Sequence, residues 1–372
     1  MTLRTAVVGG GTVSGKHLAA LADNPRTELV AVCDVDEETA DDLAADWGID
    51  AYYDTEALLD GADLDWLHVC TPVQTHLAIA KLAIEAGVPV QIEKPITETV
   101  AEFEELAAHS DRHGVPVTEV HNHDFVPVMR AAMQQQRNGE LGEVRGVDVV
   151  YTGSSLPDDP NRGAWTFELA GGEFEEGLPH PFYLALRAAG YPRSEASVQA
   201  STATQGSYDR DFAYDAAQLQ FVSEDDTLCT VQVLGGTRPV RMVLLHGTEK
   251  SLTVDLVSQT LLEHDRDYKA SAVARARNNV DQAADRIAGT VANARAVLRR
   301  QRGDDWESKR LLNPHYYQTD AEARALLGDA DMPVPLAESR WTMELMAAVR
   351  SAAERDTDRH GDAVETAVDD DD

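Results

Sequence analysis

TAVVGGGTVSGKHLAALAD, residues 5–23, decides the fold of this chain. A short apolar run rich in valine passes through a glycine turn directly into a pattern of helical period, the order strand, turn, helix. Gly9 and Gly11 fit the first two glycines of G-x-G-x-x-G, where missing side chains allow the tight bend and the approach of a pyrophosphate to a helix N-terminus. Ser14 stands at the third position, a small departure, and Thr12 and Val13 complete the turn. Asp34 closes the next apolar run, 23 residues after Gly11. A carboxylate there accepts hydrogen bonds from adenosine ribose hydroxyls and repels a 2′-phosphate. VDEET, residues 35–39, adds carboxylates and no arginine, so NAD is expected rather than NADP.

The same alternation continues outward. ELVAVCD, DWLHVCTP, PVQIEKP and VPVTEVH are brief, β-branched runs that predict buried strands. Between them DEETADDLAADWG, QTHLAIAKLAIEAG and TVAEFEELAAHSDRHG carry helical periodicity, the last two ending at Gly87 and Gly114 as C-terminal caps. Strand and helix in alternation imply a parallel sheet covered on both faces.

Composition sets the limits. The chain has 372 residues, enough for two domains, with 65 carboxylates against 32 basic side chains, only six of them lysine, and a formal charge of −33. A nucleic acid would be repelled by such a surface. Acidic excess with scarce lysine points to adaptation to concentrated salt, where repulsion is screened. Cys33, Cys70 and Cys229 lie in strand-like runs without CxxC spacing and are expected as buried thiols. No run approaches the roughly 18 apolar residues of a membrane span, and the N-terminus enters a core strand without a signal-peptide pattern, so a cytoplasmic location is expected. No His, Cys and carboxylate spacing suggests a metal site, and no G-x-S-x-G suggests a serine hydrolase.

Strands of such a sheet present their C-terminal ends to the ligand. CTPVQTH, residues 70–76, brings Thr71, Pro72 and His76 to that rim; EKP, residues 93–95, brings Glu93 and Lys94; EVHNHDF, residues 119–125, brings His121, Asn122 and His123. His17 and His76 are expected as packing or cofactor-loop residues.

On GGGTVSGKHLAAL, CTPVQTH and EKP at these spacings, the chain resembles the oxidoreductases typified by glucose-fructose oxidoreductase and inositol dehydrogenase, the Gfo/Idh/MocA family. WTFELAGGEFEEGLPH (165–180), VLLHGTEKSLTVDL (243–256) and HYYQTDAEARALLGDADMPVPLAESR (315–340) extend the resemblance. It implies an α/β fold with an N-terminal Rossmann-type parallel sheet, followed by an α+β domain whose open, mostly antiparallel sheet walls the substrate site. The expected division is residues 1–123, residues 124–358 and an acidic tail at 359–372. AAQLQFVSEDDTLCTVQVLGG agrees on its own terms, reading as two strands about a turn at Glu224 to Thr227, with VRMVLLHG and SLTVDLV as further strands.

The resemblance also implies chemistry. Oxidising a carbinol sends hydride to the nicotinamide while a proton leaves oxygen, and the family places the lysine of EKP where that proton must go, which is Lys94 here. Relatives then carry an aspartate, a histidine four residues on and a second aspartate three further. GGEFEEGLPHPFY, residues 171–183, puts Glu176, His180 and Tyr183 at those positions, with proline on both sides of the histidine and Gly177 displaced. His180 is expected as a proton relay or hydroxyl-binding group oriented by Glu176; His123, Trp165 and Tyr183 are expected to touch substrate. The reaction implied is NAD-dependent transfer of hydride from a secondary hydroxyl of a sugar, sugar derivative or polyol. Two alternatives remain: an enzyme that retains NAD and uses transient oxidation for elimination or hydrolysis, and a non-catalytic nucleotide-dependent binding protein.

Residues 271–302 stand apart. Seven arginines there face only Asp281 and Asp285, and Val273, Val280, Ile287, Val291 and Leu298 recur at steps of seven or four. Such a basic amphipathic helix suits packing within the chain or on another subunit of a homo-oligomer, an anionic membrane surface, or a phosphorylated substrate.

Overall fold

The computed structural model describes residues 2–264, 271–302 and 305–368. The chain divides into two compact units, Met1–Pro127 with Ala294–Met343, and Val128–Asn293 with Glu344–Asp372.

The first unit opens with β1 (Leu3–Val8), α1 (Ser14–Asp23), β2 (Thr27–Cys33), α2 (Glu37–Trp47), β3 (Asp50–Tyr52) and α3 (Thr55–Gly61). It continues through β4 (Trp66–Val69), α4 (His76–Glu85), β5 (Val90–Ile92), α5 (Val100–His113) and β6 (Val117–Glu119). The strands form one parallel sheet in the order β3-β2-β1-β4-β5-β6. Chain order reverses between β1 and β4, and that switch point opens the crevice in which such sheets take their ligands. Leu18 and Leu21 of α1 pack on Leu3, Val7, Trp66 and Cys70 beneath it. Gly48 and Gly114 end α2 and α5 in the left-handed conformation, and a Thr99–Glu102 capping box starts α5. The short edge strand β3 and helix α3 carry too few residues for a periodic signal; Asp54, whose side chain accepts from Ala57 N–H, is the cap that marks the helix.

The second unit contains α6 (Pro127–Arg137), β7 (Val144–Thr152), α7 (Gly172–Glu176), α8 (Pro179–Ala189), β8 (Gln199–Ala203), β9 (Ala216–Val222), β10 (Leu228–Leu234), β11 (Val240–Gly247), β12 (Ser251–Asp255), β13 (Thr260–His264) and α9 (Ala272–Arg302). Of α9 only the part up to Asn293 belongs to this unit. Its sheet runs β13-β12-β11-β7-β10-β9-β8, antiparallel except for the β7–β10 pair. β9 and β10 are the expected hairpin, pairing Val222 with Leu228 across the turn. Alternate residues of these strands are buried, and the wholly buried Phe182, Tyr183, Leu184 and Ala185 of α8 belong to the same unit's core.

The expected boundaries need correction. Residues 124–358 are not one unit, because the segment from Ala294 to Met343 returns to the first. It holds α10 (Trp306–Leu312), α11 (Pro314–Leu326) and the start of α12 (Leu336–Val368). α11 is tied to β5 and β6 by buried polar groups: Glu322 accepts from Gln91 Nε2 at 2.6 Å and Thr118 Oγ1 at 2.9 Å, and Gln318 donates to the Glu119 carbonyl at 2.8 Å. Asp320 receives Arg26 at 2.8 Å and Arg324 at 2.9 Å. Residues 359–368, expected as tail, continue α12; residues 369–372 lie outside the described residues.

Behind β6 the buried His121 ring lies 2.9 Å from Glu119, 3.0 Å from Glu338 and 3.8 Å from Asp124. Burial alone would lower its pKa, but Glu119 and Glu338 raise it to about 9. Glu322 goes up to about 7, driven by burial against the hydrogen bonds from Gln318, Thr118 and Gln91. A raised pKa favours the protonated form in the folded state, so both contributions are lost as pH rises: that of Glu322 between its ordinary 4.5 and about 7, that of His121 between 6.5 and about 9. Burial lowers the pKa of His68, His76 and His315, whose contributions grow until the pH passes 6.5, so the thermal midpoint should fall steadily only above that, from about pH 7 to about pH 9; a midpoint that is flat or rising over that span would contradict the assignment.

Gly9 has φ +97°, and a Cβ there would meet the Cys70 carbonyl carbon and oxygen at 2.7 Å. Gly9→Ala should lower stability by about 1 kcal/mol or more in denaturant titration, and an unchanged midpoint would show that this approach is not required.

Candidate active site

In the first unit the glycine turn lies at the C-terminal end of β1. Gly10 N–H donates to Asp34 Oδ2 at 2.6 Å and Asp36 N–H to Oδ1 at 2.9 Å, so the carboxylate is fixed beside the turn before any ligand arrives. A Cβ on Gly11 would find no atom within 4 Å, which leaves open space over the turn. Ser14 folds its hydroxyl back onto the Gly11 carbonyl at 2.7 Å, and no side chain caps α1 at Val13. Open space, an uncapped helix start and an oriented carboxylate are what a dinucleotide needs for its pyrophosphate and ribose, so the residues present fit NAD. Gly9, Gly11, Thr12 and Val13 form this turn, and Asp34 is bonded to its Gly10 N–H.

The neighbouring strand ends form the rest of the rim. After β4, Thr75 Oγ1 bonds Thr71 Oγ1 at 2.7 Å and the Pro72 carbonyl at 2.8 Å, stiffening the turn. His76 is buried, with its ring nitrogens 2.9 Å from the Thr71 carbonyl and 3.0 Å from the Pro95 carbonyl. It clamps the two turns to each other, so its expected place among cofactor contacts becomes a positioning role. Burial lowers its pKa, and the neutral ring then donates to only one of the two carbonyls.

Glu93 and Lys94 follow β5, both buried, Lys94 with 6% of its surface exposed, and the Lys94–Pro95 bond is cis. Glu93 Oε1 lies 2.8 Å from His17 Nε2, and Oε2 accepts from Lys94 N–H at 3.2 Å. Burial pushes the Glu93 carboxyl up, yet the His17 hydrogen bond and the nearby His17, His315 and Lys94 charges bring it down to about 2. His17 in turn meets His68 Nδ1 at 2.8 Å, and its ring lies 5.6 Å from that of His315. His17 was expected as a packing or cofactor-loop residue; His68 and His315 were missed, because no local spacing links residues so far apart. Among the described residues, two groups, His17 with Glu93 and His315, and His121 with Asp124 and Glu338, each bring three ligand-type atoms within 4.8 Å of one another. His123 is half-buried in the short turn Asn122–Phe125.

In the second unit, His180 sits in the first turn of α8 with Nδ1 2.7 Å from the Tyr183 hydroxyl, and the Tyr151 ring stacks near it, centroids 6.2 Å apart. Tyr183, expected on the substrate side, is wholly buried with its hydroxyl against His180. The Arg241 guanidinium covers the Tyr151 ring at 4.6 Å. Burial raises the Tyr151 pKa to about 12 despite Arg241, with Glu176 adding to the rise. Glu176, buried in α7, lies 3.7 Å from Arg162 Nε, which also approaches Glu173 at 3.9 Å. Trp165 is half-buried and donates to the Arg162 carbonyl at 2.8 Å. Tyr151, Arg162 and Arg241 were not found from sequence; Tyr151 and Arg241 reach the cluster from β7 and β11, far along the chain from residues 171–183.

Comparison with known proteins agrees with this architecture. The model described as oxidoreductase family, NAD-binding Rossmann fold, matches residues 3–121, and that of the GFO/IDH/MocA C-terminal domain matches residues 129–253. D-apiose dehydrogenase of Paraburkholderia graminis is 33% identical over 138 residues, 37% of either chain. D-glucoside 3-dehydrogenase of Escherichia coli is 32% identical over 144 residues, 38% of this chain and 41% of the relative. The matched stretches therefore span 37% and 41% of the lengths of those two curated relatives. The WlbA dehydrogenase from Bordetella pertussis, solved with NADH and UDP-GlcNAcA, shares the fold at TM-score 0.73 and 20% identity over 95% of this chain and 97% of its own. With both domain models matched in order along the chain, this protein belongs to the GFO/IDH/MocA family of oxidoreductases.

Proposed function

We propose that the chain is an NAD-dependent dehydrogenase acting on a secondary hydroxyl of a sugar, sugar derivative or polyol, with Lys94 as the group that takes the proton. The observation that carries this reading is Lys94 itself, a buried lysine at the C-terminal end of a sheet strand, on the rim that holds the glycine turn and Asp34. Bound NAD supplies the hydride acceptor. Gly9 to Val13 hold its pyrophosphate and Asp34 its ribose. Lys94 Nζ, kept from bulk water, accepts the hydroxyl proton as hydride leaves carbon, and in reverse its ammonium polarises the carbonyl. Glu93 stays ionised and, by accepting the Lys94 backbone N–H, fixes the strand end from which that side chain extends. His180 binds a substrate hydroxyl through Nε2, its ring set by Tyr183 at Nδ1 and backed by Tyr151. Glu176 and its neighbour Arg162 give that pocket its charge balance, and Trp165 and His123 are assigned to the substrate side of their own units. The acidic surface suits a concentrated-salt cytoplasm, where carboxylates hold hydration and their repulsion is screened.

The test is NADH absorbance near about 340 nm in roughly molar KCl, which screens the surface charge. D-apiose, D-glucosides, other sugars, sugar acids and polyols are offered with NAD or NADP. Lys94→Ala should reduce turnover by about 10²–10⁴-fold while NAD binding, read by fluorescence titration, is retained. Turnover within a few fold of wild type would remove Lys94 from the chemistry. NAD that co-purifies without exchange, with no net NADH formed on any compound, would favour the retained-cofactor reaction. Binding of a sugar unaffected by Lys94→Ala, with no redox change, would favour a binding protein.

Asp34 yields a second prediction. Asp34→Ala should cut the preference for NAD over NADP by roughly tenfold or more, since the carboxylate both binds the ribose diol and repels the 2′-phosphate. An unchanged preference would mean that discrimination lies elsewhere.

A further inference from the structure

The basic segment forms one continuous helix, α9, 31 residues long. One strip of it rests on the β12–β13 edge of the second unit. Gln282 Nε2 meets His264 Nδ1 at 3.2 Å, and Asn293 Nδ2 donates to the carbonyls of Ser258 at 3.2 Å and Gln259 at 2.9 Å. Between them Gly289 lies so close to β13 that a Cβ would come within 3.1 Å of the Thr260 methyl. At 3.6 residues per turn, residues 282, 289 and 293 share one face.

The opposite face carries Val273, Val280, Ile287, Val291 and Leu298, which are 77, 66, 65, 40 and 47% exposed. With Val297, these make up nearly half of the large hydrophobics exposed among the described residues, so this is not ordinary surface scatter. The stripe is narrow, about 40° of the helix circumference. Residues 273, 277, 280, 284, 287, 291, 294 and 298 follow it in alternating steps of four and three, and all but Arg277 are apolar. That repeat is the seam of a paired helix, whereas a helix lying in a membrane surface presents a broad apolar face with large anchoring side chains.

We propose that the occupant is α9 of a second copy of this chain, running antiparallel. The apolar seam selects a paired helix, and the placement of charge along it selects the direction. Asp281 and Arg295 flank the same edge of the stripe, two heptads apart, and a two-fold axis near residue 288 sets Asp281 of each copy beside Arg295 of the other. Arginines crowd the C-terminal half at positions 295, 299, 300 and 302, while in the first half Arg275, Arg277 and Arg286 are largely offset by Asp281 and Asp285. Parallel pairing would lay one crowded half along the other; antiparallel pairing lays it along the balanced half. The layers become Val280 against Leu298, Ala284 against Ala294 and Ile287 against Val291, each repeated across the axis. The small alanines let the helices approach closely beside the bulkier central layer.

The test uses the full chain in roughly molar KCl and a short bismaleimide. The native Cys33, Cys70 and Cys229 are buried, so introduced thiols dominate the reaction. The double variant Asp281→Cys, Arg295→Cys should give a covalent dimer, and each single variant should not. Along one helix the two positions lie roughly 21 Å apart, too far for the short linker to bridge within a chain. In parallel, Ile287→Asp with Val291→Asp should halve the mass seen by sedimentation and leave NAD binding unchanged, which reports that the chain still folds. Absence of the cross-link, or a mass unchanged by the two aspartates, would overturn the proposal. Cross-linking of Asp281→Cys alone would overturn the antiparallel register. Co-flotation of wild type with phosphatidylglycerol vesicles, lost in the aspartate variant at unchanged mass, would replace the second copy with a membrane surface.

Discussion

The hydrogen bond between Glu93 and His17 is the interaction on which the first unit's site depends. His17 belongs to α1, the helix that the glycine turn starts, and Glu93 ends β5 immediately before Lys94, so one contact at 2.8 Å links the dinucleotide helix to the residue proposed for proton transfer. A buried carboxylate beside apolar strands would normally be driven to protonate; here histidine and lysine charge hold it ionised. His76 fills the space between the following turn and Thr71, its ring nitrogens facing the Pro95 and Thr71 carbonyls. Lys94 therefore extends from a strand end fixed on two sides, which is the condition for a proton acceptor that must be in register with a bound cofactor.

Much of this frame was legible in the sequence, and the reason is local. The strands at residues 3–8, 27–33 and 66–69 are short apolar runs, and the turns that follow them use glycine, threonine and proline for conformations those residues favour. Gly9 is the clearest case, since its positive φ and its contact with the Cys70 backbone admit no side chain. What the sequence did not show was carried by polar pairs between distant residues. Glu322 with Gln91, His121 with Glu338 and Arg26 with Asp320 are separated by two to three hundred residues, and no periodicity records them. They are why the segment from Ala294 to Met343 rejoins the first unit instead of the second. For His180 the expected partner was Glu176, and the structure gives its Nδ1 a hydrogen-bond contact with Tyr183, one helical turn on.

The chain's charge is distributed with a consistent physical logic. Inside the first unit, carboxylates are held by histidine, arginine and amide donors, each placed by a particular element. Outside, acidic residues prevail so strongly that the arginine-rich α9 is the exception.

The central claim is that Lys94 meets the hydroxyl being oxidised. The most direct measurement is a crystal structure with NAD and a non-reacting substrate analogue, reading the distance from Lys94 Nζ to the hydroxyl oxygen. The account predicts hydrogen-bond contact, about 2.6–3.2 Å, with that carbon facing the nicotinamide. Lys94 engaged elsewhere, with another side chain at the hydroxyl, would contradict it.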